Sequence, residues 1–102
     1  MKKTWKIDSI EFENNLVLAP MAGYTDAPFR KICRKFGVGL VVTELITSLG
    51  MCFNNEKTVN MLKFYKEEHP VSLQIFGSRP EKMAEAAKMG QECGYDIIDI
   101  NM

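Results

Sequence analysis

Two carboxamides, Gln74 and Asn101, and one run of small and soft residues, Pro20-Met21-Ala22-Gly23, are the parts of this sequence best suited to chemistry. A carboxamide carries donors and an acceptor together, so a pair of them matches a flat heterocycle whose edge alternates carbonyl and N–H groups. Small residues let backbone groups approach a ring system closely, and the Met21 thioether offers a polarizable lid. Each feature also has an ordinary reading. Gln74 can satisfy buried backbone at a strand end, and the Pro-Met-Ala-Gly run can be a plain strand-to-helix loop. Glu44 either caps nearby N–H groups or faces the same mouth. Apart from the Glu44 carboxylate, none of these is a usual general base or nucleophile. Neither G-x-G-x-x-G nor G-x-x-x-x-G-K-[ST] occurs, so a standard dinucleotide fingerprint and a P-loop are absent.

The remaining candidates are weaker. Cys33, Cys52 and Cys93 are odd in number, form no C-x-x-C pair and have a single histidine for company, which argues against a disulfide framework or a metal site. Each reads as a small buried apolar residue. His69 follows the polar Lys66-Glu67-Glu68 segment and reads as solvated. Arg30, Lys31, Arg34 and Lys35 form either a phosphate-contacting cluster or a solvated helix face. Arg79 beside Ser78 heads a helix, where an anion can bind.

These residues have meaning only at the places where the elements put them. Trp5 to Phe12 alternates apolar and polar side chains at period two, and Glu13-Asn14-Asn15 supplies turn residues, which together predict a short exposed strand and hairpin. Leu16-Val17-Leu18-Ala19 is apolar without alternation and reads as a strand covered on both faces, hence part of a parallel sheet. Thr25 or Asp26 caps a helix with Pro28 in its first turn and an apolar stripe of Phe29, Ile32, Cys33 and Phe36, and Gly37 stops it. Leu40-Val41-Val42-Thr43 is a second strand, and Thr47 to Lys63 reads as irregular helix. Val71 to Phe76 is the third strand. Ser78 and Glu81 form an S-x-x-E capping box for a helix with Met83, Ala86, Ala87 and Gly90 on one face, ended by Gly94. Ile97 to Ile100 is the fourth strand.

Strands starting near residues 17, 40, 71 and 97 alternate with helices in the rhythm of βαβ units. A doubly wound sheet and part of a (β/α)8 barrel both fit. The chain stops at a strand tip with no helix to cover it, so it reads as the N-terminal half of a TIM (β/α)8 barrel, a single partial α/β domain over residues 1–102. In either architecture ligands gather at the C-terminal ends of the strands. Those ends are Pro20-Met21-Ala22-Gly23, Glu44, Gln74 and Asn101.

The chain has 102 residues, of which 46% are hydrophobic and 25% charged, with 13 basic and 13 acidic side chains. That composition fits one globular domain. Balanced charge argues against a domain that holds nucleic acid unaided. No run of eighteen apolar residues and no signal peptide after Met1 is seen, so a cytoplasmic, non-membrane protein is expected.

Read together, Leu18-Ala19-Pro20-Met21-Ala22-Gly23-Tyr24-Thr25-Asp26-Ala27-Pro28-Phe29-Arg30, Thr43-Glu44, Gln74-Ile75-Phe76-Gly77 and Asp96-Ile97-Ile98-Asp99-Ile100-Asn101-Met102 resemble the tRNA-dihydrouridine synthases in wording, order and spacing. The resemblance runs from about residue 7 to the end. Flavin barrels such as dihydroorotate dehydrogenases share the general plan but not the A-P-M-A-G-x-T-D-x-P-F-R string.

The resemblance implies an FMN-containing (β/α)8 barrel followed by a helical domain, using NADPH to reduce a uridine of tRNA to dihydrouridine. It implies that Pro20, Met21 and Ala22 lie against the flavin, that Gln74 hydrogen-bonds the isoalloxazine edge, and that Asn101 sits near flavin and target uracil. The base must be flipped out and stacked, with hydride delivered to C6 and a proton to C5. The proton donor implied is a cysteine in a Gly-Cys-Pro loop directly after Met102, so no catalytic residue is assigned within the chain. The phosphate-holding residues and the tRNA-binding domain also fall beyond it. The 102 residues alone are therefore expected neither to retain FMN tightly nor to reduce tRNA, and to give soluble monomer poorly because sheet edges are open. A non-catalytic half-barrel assembly module and an FMN barrel acting on a small molecule are the alternatives.

Overall fold

The computed structural model describes residues 5–102. The reading of the extreme N-terminus as free of a signal sequence therefore falls largely on residues 1–4, outside the described residues. The chain opens with a hairpin of β1 (Trp5–Ile7) and β2 (Ile10–Phe12), paired antiparallel with Trp5 opposite Phe12. The turn is at Asp8-Ser9, inside the segment predicted as one strand, and not at Glu13-Asn14-Asn15. Asp8 makes this possible by adopting the left-handed conformation, φ +53°, which Asp tolerates better than most residues. Asn14 instead ties the hairpin to the body of the fold. Its carbonyl accepts from the Trp5 indole and its amide donates to Gly37 O at 2.8 Å.

Helix α1 (Ala27–Lys35) is capped by Asp26, whose carboxylate accepts from Phe29 N at 3.0 Å, and Gly37 lies just beyond its end with φ +104°. The predicted inward stripe does not face inward. Phe29, Ile32 and Phe36 are exposed, while Arg30 is the residue that α1 buries.

Next come β3 (Val41–Val42), β4 (Ile46–Thr47), α2 (Ser48–Cys52) and α3 (Glu56–Met61), the last capped by Asn55. The stretch predicted as one irregular helix from Thr47 to Lys63 is thus two short helices preceded by a strand. A 3-10 turn at Lys66–Glu68 leads into β5 (Val71–Phe76), followed by α4 (Pro80–Cys93) and β6 (Ile97–Ile100). Gly94 ends α4 at φ +100°, as expected of a left-handed cap. The predicted capping box does not form: Arg79 is the cap position, and its guanidinium takes the Glu81 carboxylate at 3.0 Å. The Arg79–Glu81 ion pair has replaced the Ser78–Glu81 exchange, and Glu81 is held below the usual carboxylate range by its own backbone N–H and by Arg79.

All pairings around β5 are parallel. β3 and β4 lie on one side of it and β6 on the other, because Ser72 pairs with both Val42 and Ile97, and Ile75 with both Ile46 and Ile100. The first predicted strand contributes a parallel bridge, Val17 to Leu40, made by Leu18 N to Leu40 O at 2.9 Å and Leu40 N to Leu16 O at 3.2 Å, and Gly39 N also donates to Leu16 O at 2.9 Å. Leu16 and Val17 are 59% and 48% exposed, so this segment is not covered on both faces. It lies at the edge, with a partner on one side. Order in the sheet follows order in the chain, with no reversal.

The sheet is clothed unequally. One face packs Val41, Ile46, Val71, Leu73 and Ile75 against Met51, Ala86 and Tyr95. The Tyr95 hydroxyl donates to Leu62 O at 2.7 Å, and burial pushes its pKa up. The other face packs Leu40, Val42 and Ile97 against Phe12, Trp5 and Ile10 of the hairpin, with Trp5 stacked on Phe12 at 4.1 Å between centroids. The hairpin covers the beginnings of the strands. Gln74 and Asp99 share that face by the period-two rule and lie beyond its reach.

Candidate functional site

The site starts from an irregularity in the sheet. Between its two pairings with β5, the β3–β4 segment takes four steps, Val42 to Ile46, while β5 takes three, Ser72 to Ile75. One extra residue in one strand is a bulge, which interrupts the ladder and re-aims the side chains within it. Thr43 and Glu44 lie in that bulge. Thr43 is fully buried, and its hydroxyl replaces a ladder acceptor by taking the Gln74 N–H at 3.0 Å while donating to Glu44 O at 2.9 Å. Asn101 N continues the ladder to Ile75 O at 3.0 Å, and the Asn101 Nδ2 amide donates to Gln74 Oε1 at 3.1 Å. This pairing leaves Gln74 Nε2 and Asn101 Oδ1, a donor group and an acceptor, outside the bond that joins the two side chains. Gln74 is 95% buried and held at both backbone and side chain, so its amide orientation is set before any ligand arrives.

The Pro20-Met21-Ala22-Gly23 turn is built by Thr25. Its buried hydroxyl accepts from Met21 N at 2.9 Å and donates to Met21 O at 3.2 Å, while Tyr24 N and Thr25 N both donate to Met21 O at 3.0 Å. Gly23 sits at φ +83° with open space where a Cβ would point, so glycine serves the backbone angle here and not a tight contact. Its N–H donates to Glu44 Oε1. Pro20, Met21 and Ala22 are exposed. Below the turn, Thr25 O accepts from Arg30 Nη1 at 2.7 Å, and Arg30 Nε meets Glu68 Oε1 at 2.5 Å with both side chains buried. Glu68 Oε2 accepts from Tyr65 N at 2.7 Å, and Arg30 Nη2 donates to Lys63 O at 3.2 Å. A continuous set of hydrogen bonds therefore runs from Asn101 through Gln74, Thr43 and Glu44 to the turn. A cavity of about 570 Å³ beside it is lined by Ala22, Gly23, Glu44, Lys57 and Phe76 among others.

Every strand-end residue singled out in the sequence is thus found at one end of the sheet. Sequence reasoning missed the roles of Thr43, Thr25 and the Arg30–Glu68 pair. A polar Thr-Glu directly after the apolar Leu40-Val41-Val42 was the available signal for Thr43. Nothing local announces that Arg30 and Glu68 meet.

Residues 17–102 match the family model described as dihydrouridine synthase (Dus). The chain belongs to the dihydrouridine synthase family. It is similar to tRNA-dihydrouridine synthase B of Pseudomonas aeruginosa, 46% identical over 97 residues that make up 95% of this chain and 29% of the relative. It is similar to tRNA-dihydrouridine synthase B of Vibrio cholerae, 43% identical over 97 residues, 95% of this chain and 30% of the relative. The probable tRNA-dihydrouridine synthase of Rickettsia bellii is 39% identical over 97 residues, 94% of this chain and 30% of the relative. The chain spans about three-tenths of the length of the curated relatives it matches.

In this dihydrouridine synthase family member His69 and the three cysteines take no part in that hydrogen-bonded set, and Arg79, which follows the end of β5, is held by Glu81. His69 Nδ1 and Asp96 Oδ2 are 2.7 Å apart, and Asp96 Oδ2 also accepts from Val71 N at 2.8 Å. Both residues precede their strands and so mark the opposite end of the sheet. His69 is partly exposed but paired, where the sequence suggested simple solvation. Cys33 and Cys52 are half-buried and Cys93 is exposed, so the expectation of three buried cysteines is not met by any of them. Burial and the neighbouring Glu85 push the Cys52 thiol up. The basic cluster on α1 is divided. Arg30 is buried on Glu68, Arg34 donates to Val38 O and Gly39 O at 2.7 and 2.6 Å, and Lys31 stands 4.5 Å over the Tyr65 ring. Lys31, Arg34 and Lys35 line one surface cavity, and Arg30 is withdrawn from it by burial on Glu68. Among the described residues no group of three His, Cys, Asp or Glu is placed to hold a metal, and no helix is long and apolar enough to cross a membrane.

Proposed function

We propose that these residues form the N-terminal half of an FMN-dependent (β/α)8 barrel that reduces the C5–C6 double bond of specific uridines in tRNA to dihydrouridine, with NADPH as reductant, in the cytoplasm. The observation that carries this reading is the single hydrogen-bonded set joining Asn101, Gln74, Thr43, Glu44 and the Pro20–Gly23 turn. It draws the four motif segments of a dihydrouridine synthase to one sheet end. The barrel reading is supported by the strand order. Chain order equals sheet order, as closure into a barrel requires, whereas a doubly wound sheet reverses direction at a switch point.

The donor set fits FMN. An isoalloxazine edge presents carbonyl and N–H groups, which Gln74 Nε2 and Asn101 Oδ1 complement. When bound, FMN supplies the two-electron reduction. Pro20, Met21 and Ala22 would offer the surface against the ring, Gln74 would hold its edge, and Asn101 would lie near cofactor and substrate uracil. The fixed Gln74 amide orients the ring without reorganising, and the buried bonds beneath it keep water from that side. The residues of this chain are assigned binding and orienting roles, and none is assigned the proton transfer to C5.

The test is to fuse this chain to the part of the Pseudomonas aeruginosa relative that follows its matched segment, and to express it in bacteria lacking dihydrouridine synthases. Dihydrouridine in tRNA, read by mass spectrometry, is expected to return with the fusion and to stay absent with the 102 residues alone. Q74A in the fusion is expected to lower it at least about tenfold. A flavin-free fusion, or one that leaves tRNA unmodified where the intact relative restores it, refutes the reading.

A further inference from the structure

The Pro20–Gly23 turn is closed on itself by Thr25, which sets its shape. Shape alone does not fix how far the turn stands from Gln74. The turn is exposed, and the strand behind it is joined to the sheet by three backbone bonds, all to Gly39 and Leu40 and none to the turn itself: Leu18 N to Leu40 O, Leu40 N to Leu16 O and Gly39 N to Leu16 O. Glu44 supplies the missing constraint. Its carboxylate reaches Gly23 N, 21 residues earlier in the chain, and its carbonyl is bonded to the Thr43 hydroxyl that holds Gln74 N. Two covalently adjacent residues therefore grip the two sides of one mouth. The bulge makes this possible, because in a regular strand neighbouring side chains point to opposite faces and could not both serve the same end. Gly23 N is exposed, so losing the bond transfers that N–H to water at small cost in folding stability. What is lost is the spacing.

Resting on the flavin reading above, we infer that Glu44 is a positioning residue: it sets the distance between the ring-facing turn and the Gln74–Asn101 amide pair, and through it the affinity for FMN. It touches the turn and not the ring.

Hydrogen–deuterium exchange of the fusion described above, freed of flavin and resolved to the Met21–Tyr24 segment, tests this with FMN titrated in. In the wild-type fusion FMN is expected to slow exchange in this segment and around Gln74, saturably. E44A is expected to melt close to wild type, to exchange faster at Gly23 without ligand, and to need about tenfold more FMN for half-maximal protection. E44Q keeps a side-chain oxygen that accepts from Gly23 N, and is expected to recover most of both effects. An E44A fusion that matches wild type in Gly23 exchange and in FMN response overturns the inference alone. Absence of any FMN response in the wild-type fusion overturns the flavin reading and this inference with it.

Discussion

Helices α1 and α4 carry the same kind of sequence signal and are held in place by different physics. On α4 the face that meets the sheet is small: Ala86 and Gly90 are buried, and a Cβ on Gly90 would lie 2.5 Å from Leu73 Cδ2 and 2.8 Å from Ile98 Cδ1. Its position is set by close apolar contact. On α1 the strongest apolar stripe is turned outward, with Phe36 84% and Ile32 56% exposed, and the helix is fastened by Arg30 to Glu68, Thr25 O and Lys63 O. Apolar periodicity identifies residues that share a face. It does not say whether this stretch of chain supplies the cover for that face.

The sharpest break of this contrast is to remove the charge from α1. Arg30→Ala leaves Glu68 buried without its cation, and is expected to cost about 3–5 kcal/mol, a large share of a total stability of about 5–15 kcal/mol. Urea unfolding followed by circular dichroism measures it, with R30M/E68L expected to recover much of the loss. An R30A chain as stable as wild type would mean that α1 is held by something other than this pair. Next in size is Gly90→Ala. The added methyl overlaps Leu73 and Ile98, so a loss of about 1–3 kcal/mol is expected; a neutral or stabilising result in the same assay would show that α4 has room to lift. Smallest is Phe36→Lys on the outward stripe, expected within about 0.5 kcal/mol of wild type. A clear destabilisation that grows with protein concentration would show the stripe covered by a second copy in solution.

Much of this molecule was legible from residue types. Asp26 before Ala27-Pro28 and Gly94 after Cys93 carry their cap roles in their own conformational preferences, which no distant contact needs to supply. Gln74 and Asn101 were legible because polar residues closing apolar strands are uncommon unless bonded or exposed. The errors fall where a distant partner decides. β4 is two residues long and exists because β5 runs past it, so no window of sequence reveals it. Ser78 and Glu81 have the spacing of a capping box, but Arg79 lies between them and takes the carboxylate. Leu16 to Ala19 reads as an interior strand from composition, and its exposure follows from having a neighbour on one side only. The bulge that sets the site is visible only by comparing the step counts of two paired strands.

The order of the sheet has a consequence for synthesis. Each parallel strand pairs with the one made just before it: Leu40 with Val17, β5 with β3 and β4, β6 with β5. A ribosome releases chain from the N-terminus at about 5–20 residues per second, so each new strand emerges onto a template already outside the tunnel. The sheet can grow like a ratchet, one strand at a time, whereas helix α1 waits for Glu68 and the hairpin for Ile97 before their contacts are complete.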